Sequence, residues 1–118
     1  MEVLYREFKG ALAENYVLQS LSTQSEVNLR YWTSNSSAEV DFLLQYDTHI
    51  LPIEVKSGKS TSSRSLTLYN AEKHPRLRIR YSDKELKLDD NLLNIPLYMV
   101  DWTFALLASI IQVPTHNS

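Results

Sequence analysis

Two carboxylates stand in runs that are otherwise apolar, Asp41 in "AEVDFLLQY" and Glu54 in "HILPIEVKSG". Side chains of an extended chain alternate between faces, so Val40, Phe42 and Leu44 share one face while Asp41 takes the other. By the same alternation Ile53 and Val55 oppose Glu54 and Lys56. A tight turn at Asp47-Thr48 sets position 46 opposite 49, and counting back puts Asp41 opposite Glu54. Facing carboxylates at a Cβ separation of about 4.5–5.5 Å repel each other, so the pair calls for a cation or a proton. The register therefore predicts a ligand site where these two strands meet.

A third carboxylate lies near the start of the chain. Around Glu14 the helical neighbours are Gly10, Ala11, Val17, Leu18 and Leu21, a small and apolar face. Burying a lone carboxylate there costs several kcal/mol or protonates it, so Glu14 predicts either a further ligand or a structural ion pair. Glu7, two turns earlier, reads as solvated.

The elements that must position these residues follow from local pattern. Residues 2–22 are good helix formers, 28–34 are rich in strand formers, and 38–46 and 49–56 read as a hairpin. "SGKSTSS" is a polar break offering N-caps to a helix over 63–74, which Pro75 stops. "RLRIRYS" alternates as a fourth strand, with Leu77, Ile79 and Tyr81 inward and Arg76, Arg78 and Arg80 forming the solvated face of an edge. Residues 83–94 read as polar loop with at most a short strand. "IPLYMV" reads as a further strand with Pro96 near its start, and Asp101 as the cap of a helix over 102–112.

The 118 residues suit one domain over 1–113 with a disordered tail over 114–118, and 43% hydrophobic content supports a core. There is no cysteine, which excludes disulfides and thiolate zinc sites and is compatible with the cytoplasm. No apolar run approaches the roughly 20 residues that span a bilayer, so no membrane partner is expected. The net charge of −2 hides a segregation. Residues 1–55 hold three basic and eight acidic side chains, whereas 56–87 hold nine basic and three acidic. An acidic half suited to a metal precedes a basic segment suited to phosphates. His49, His74 and His116 are scattered and carry no expected role.

Together, Glu14, Asp41, Glu54 and Lys56 give the chain a likeness. It resembles the PD-(D/E)XK nuclease-like superfamily: "EVD" matches the aspartate half-motif, "PIEVK" the E-x-K half, and Glu14 in "GALAENYVLQSL" the glutamate of the first helix. More narrowly, "KGALAENYVLQSL", "YWTSNSSAEVDFLL" and "LPIEVKSGK" resemble the uncharacterised domain that follows the ATPase module in many prokaryotic AAA-type ATPases, over about residues 5–100. Val40 stands where a proline often precedes the aspartate, and Ser36 and Ser37 where the narrower family often has glycine. "SGKST" lacks the upstream glycine of a phosphate loop, and the chain has no room for an ATPase module, so it reads as a domain of a longer ATPase.

The resemblance implies an α/β (α+β) fold with a restriction-endonuclease-like αβββαβ core, a mixed central sheet flanked by helices, and an extra C-terminal strand and helix. It also implies Mg2+ (or Mn2+) held by Asp41, Glu54 and the carbonyl of Val55, with Glu14 on a water of that shell or on a second ion. Lys56 would act on the attacking water or the developing charge, and Lys59, Arg64 and Arg76 would position phosphates. Tyr31 and Trp32 are candidates for stacking on bases, though such residues more often fill cores. Three functions remain open: a metal-dependent nuclease on DNA or RNA, an inactive interaction or regulatory domain of an ATPase, and a nucleic-acid-binding module without hydrolysis.

Overall fold

The computed structural model describes residues 2–24, 28–33, 39–56 and 64–111. Helix α1 (Glu2–Ser22) is followed by strands β1 (Asn28–Thr33), β2 (Glu39–Tyr46) and β3 (His49–Val55), helix α2 (Arg64–Lys73) and strand β4 (Arg78–Ser82). Then come β5 (Lys87–Asp89), β6 (Leu92–Pro96), a 3-10 helix (Leu97–Trp102) and α3 (Thr103–Ile110). The described strands form one mixed sheet in the order β1-β2-β3-β4-β6-β5. β3, β4 and β6 run parallel and the other pairings are antiparallel. The fold is the expected α+β arrangement with helices flanking a mixed sheet.

Turn chemistry explains the two hairpins. Asp47 and Asp90 each open a two-residue turn with φ of 54° and 55°, left-handed values that a short polar side chain tolerates better than a branched one. The first turn gives the expected register, Tyr46 opposite His49. The second hairpin, β5–β6, replaces the expected polar loop. Its signal was "KLDDNLL", the same apolar–Asp–polar punctuation as "QYDTHI". Helix α2 ends at Lys73, and His74 follows with φ of 49° and its N–H donating to Asn70 O at 3.0 Å; Pro75 then prevents continuation.

The expected strand over "IPLYMV" is a correction. The strand is Leu92–Pro96, with Pro96 at its end rather than near its start, and Leu97–Trp102 wind into the 3-10 helix. Pro96 has no N–H to extend a ladder, and three residues per turn put Leu97, Val100 and Thr103 on one inward side, where strand alternation could not. Val100 is buried and Tyr98 is 80% exposed. Asp101 does not cap the last helix, which starts at Thr103; the Thr103 hydroxyl instead donates to Val100 O at 2.6 Å.

One face of the sheet holds the main core. Phe42, Leu44, Leu51, Ile53, Ile79, Tyr81, Leu93 and Ile95 are buried there with Val17 and Leu21 of α1 and Leu107 of α3. The other face meets α2 through a small cluster, Leu66 and Tyr69 against Leu43 and Leu92. β4 is not an edge strand, as the arginine spacing suggested, because β6 pairs along its far side. Leu77, Ile79 and Tyr81 do face inward, but Arg78 is only 8% exposed.

Candidate active site

Strand β3 presents Glu54 on the α2 face, since Ile53 and Leu51 occupy the other. The glutamate is 4% exposed, and Lys56, two residues on and on the same face, places Nζ 3.3 Å from Oε1. The Lys56 N–H donates to Tyr81 O at 2.8 Å, so the β3–β4 ladder continues past the strand and holds the lysine backbone. The β2–β3 pairing ends at Phe42 opposite Ile53; the same register extended one residue beyond it would set Asp41 opposite Glu54. The backbone of Asp41 is described; its side chain lies outside the described residues.

The polar row does not stop at β3. Glu54 pairs with Arg80 on β4, Arg80 with Asn94 on β6, and Asn94 with Lys87 on β5. Asn94 is 3% exposed, so every polar atom it carries needs a partner. Its Oδ1 accepts from Arg80 Nε at 2.9 Å and Ser82 Oγ at 2.6 Å, and its Nδ2 donates to Lys84 O at 3.1 Å and Glu85 O at 2.9 Å. One residue thus ties the arginine, the end of β4 and the following loop together. A second pair repeats the device: Arg78 Nε donates to Asn91 Oδ1 at 3.0 Å. Burial pushes the Arg78 guanidinium below its usual range, with Arg80 adding to the shift and Asp90 opposing it.

This row runs from the carboxyl end of β3 across the middle of β4 and β6. Sequence spacing missed Arg80 and Asn94 because their partnership depends on the parallel β4–β6 pairing, fourteen residues apart.

The other expected residues are placed variously. α1 packs through Val17 and Leu21 on the opposite face, so half-buried Glu14, one turn earlier, belongs to a different layer from Glu54. Val55 pairs with Tyr81 and turns its side chain to the main core. Arg64 is the exposed first residue of α2, the crossover from β3 to β4. Arg76 is not near Glu54. It precedes β4, four residues or about 13 Å of strand before Arg80, and donates from Nη2 to Ile110 O at 3.2 Å. There it lines a separate cleft of about 520 Å3 with His49, Lys73 and His74. Lys59, Ser36, Ser37 and the tail over 114–118 lie outside the described residues, as do the side chains of Glu7, Tyr31 and Trp32.

Among the described residues no three His, Cys, Asp or Glu side chains come together as metal ligands, and Asp41 is not among the side chains described. The donor chemistry fits a hard cation: a buried carboxylate, a second carboxylate one residue beyond the paired register, and no thiolate in a chain without cysteine.

Residues 9–99 match the family described as Domain of unknown function (DUF4143). The chain belongs to this family. The match runs from the first half of α1 into the 3-10 helix, so it includes Glu14, Asp41, Glu54, Lys56, Arg80 and Asn94 and leaves out α3. A comparison with curated proteins finds no match. No helix among the described residues is long and apolar enough to cross a membrane.

Proposed function

We propose that the chain is a metal-dependent phosphodiesterase (nuclease) domain that acts on DNA or RNA in the cytoplasm, associated with an AAA-type ATPase. The observation that carries this reading is the buried Glu54 with Lys56 Nζ 3.3 Å from Oε1, one residue beyond the paired register of β2 and β3, whose extension would set Asp41 opposite. Glu54, the Val55 carbonyl and Asp41 would hold Mg2+ or Mn2+, which when bound supplies an activated water and stabilises charge on phosphoryl oxygens. Lys56 sits within reach of the same carboxylate and reaches solvent, so its ammonium can orient the water or face the charge that builds on the phosphoryl group. Glu14, from the layer across the sheet, can contribute only around the end of β3, through a water or a second ion.

Calorimetric titration of Mg2+ and Mn2+ tests this reading. Wild type should bind with heat that Asp41→Asn abolishes, and labelled DNA or RNA should be cut only in the metal-loaded wild type. A wild type that binds neither ion at millimolar concentration and cuts no nucleic acid ends it.

A second reading, an inactive nuclease-like interaction or regulatory domain of an ATPase, draws on the same ion pair. Lys56 already neutralises Glu54, as a purely structural counter-ion would, and Tyr98 and Trp102 stand 80% and 61% exposed on the 3-10 helix. On that reading Glu14→Gln and Asp41→Asn change stability alone.

A further inference from the structure

The polar row ends in a cleft that the acid pair and its lysine do not use. It has a volume of about 260 Å3 and lies between β4, the loop after it and the edge strand β5. Arg80, Lys84 and Lys87 supply its cations, Glu85 and Asp89 its carboxylates, and Asn94 its buried floor.

Three features distinguish this cleft from a solvated surface of mixed charge. First, Arg80 is not a loose surface side chain: Asn94 holds it through Nε and is itself held by Ser82 and two loop carbonyls. A guanidinium whose plane is set before a ligand arrives loses little freedom on binding a phosphate oxygen. Second, Arg80 shares its strand face with another guanidinium, Arg78, which is already held by Asn91 outside the cleft, so Arg80 is the arginine this face offers to a ligand there. Third, the cleft is in line with Glu54, because Glu54, Arg80, Asn94 and Lys87 are successive register partners. At about 4.8 Å per strand, Arg80 lies one spacing from Glu54 and Lys87 three, or about 14 Å. An extended chain of phosphodiesters crossing the sheet would meet the acids first and the cations next.

We propose that the cleft between β4 and β5 is a phosphate-binding subsite for the backbone of a polynucleotide, with Arg80, Lys84 and Lys87 holding phosphates next to the one at Glu54. The ligand class rests on the nuclease reading; the location rests on the fold. Ser82 positions Asn94, and Asn94 positions Arg80. The rim lysines are exposed and contribute charge without supporting the core.

The test measures fluorescence anisotropy of a fluorescein-labelled single-stranded oligonucleotide at several salt concentrations, in EDTA so that no cleavage occurs. Lys84→Gln with Lys87→Gln should weaken binding about tenfold at low salt. It should also flatten the dependence of log K on log salt by about 1.4, or about 0.7 for each lost phosphate contact on a single strand. Arg30→Gln with Lys73→Gln removes the same charge from exposed positions elsewhere and should leave binding unchanged. Inorganic phosphate should compete only weakly. Equal weakening by both double variants, no weakening by the first, no binding by wild type, or full displacement by low millimolar phosphate each overturns the subsite. Failure of the nuclease reading looks different: the Lys84/Lys87 variant loses binding, yet wild type with Mg2+ or Mn2+ cuts nothing. Cleavage that needs Lys56 but not Lys84 or Lys87 overturns the subsite alone.

Discussion

The two faces of the sheet are built from the same strands and do opposite things. On the face toward α1 and α3, Phe42, Leu44, Leu51, Ile53, Ile79, Tyr81 and Ile95 are at most 1% exposed. On the face toward α2 the same strands carry Glu54, Arg78, Arg80 and Asn94, and the helix covers them with little more than Leu66 and Tyr69. Stability is concentrated on the first face, because apolar area removed from water supplies most of the folding free energy. The second face can then carry groups that cost energy to bury, provided each is hydrogen-bonded or paired, as Asn94 and Glu54 are. Alternation along each strand lets one element serve both purposes.

The contrast can be broken most severely on the apolar side. Ile53→Ala, which leaves Glu54 and Lys56 in place, should cost about 2–5 kcal/mol in a urea or thermal melt, since Ile53 is fully buried among packed side chains. A loss below 1 kcal/mol would mean that this face does not hold the fold.

The next largest effect belongs to the polar side and should appear in activity. Lys56→Met keeps the aliphatic stem and removes the ammonium. On the nuclease reading it should still fold and bind Mn2+, the metal then offsetting the charge of Glu54 that Lys56 neutralised, while cleaving at a rate lower by about 10² or more. Unchanged cleavage would remove Lys56 from the chemistry.

Tyr81 gives a smaller effect with a distinctive pH signature. Its hydroxyl lies 2.6 Å from Thr103 Oγ1, and because the threonine donates its own hydrogen to Val100 O, the phenol is the donor. Burial pushes the phenol well above its ordinary value. Its neutral form is therefore favoured by folding. The contribution is complete below the unfolded value of about 10 and is lost as pH rises from there through the folded value. Tyr81→Phe should cost about 0.5–1.5 kcal/mol near pH 7 and should lose less stability than wild type between pH 10 and 12. Tyr69, raised by burial as well, leaves some alkaline sensitivity in the variant. Parallel curves for the two proteins across that range would contradict the burial argument.

The smallest expected change concerns the helix that covers the polar face. His74 holds φ of 49° after the end of α2, where glycine has no steric penalty. His74→Gly should raise stability by about 0.5 kcal/mol, the relief of about 1 kcal/mol of left-handed strain less the entropy cost of glycine. A destabilised variant would show that the imidazole makes a contribution that outweighs the strain.

Local pattern alone determined helix α1, the β2–β3 hairpin with its register, the limits of α2, and which of Ile53 and Glu54 faces the main core. Each depends on interactions within a few residues: helix propensity over residues 2–22, a left-handed Asp47, Pro75 after α2, and alternation along β3. The same count from the turn gives the expected facing of Asp41 and Glu54, one residue beyond the pairs that β2 and β3 form. Tertiary structure alone decided that β4 is central, that Pro96 ends a strand, that α1 carries Glu14 to the opposite layer, and that Arg80 meets Asn94. A parallel pairing leaves no turn between its partners to set the register. "RLRIRYS" looks the same in isolation whether an edge or a neighbouring strand lies beside it, and only the arrival of β6, supported by its packing into the common core, turns its arginines from solvated charges into part of a row beginning at Glu54.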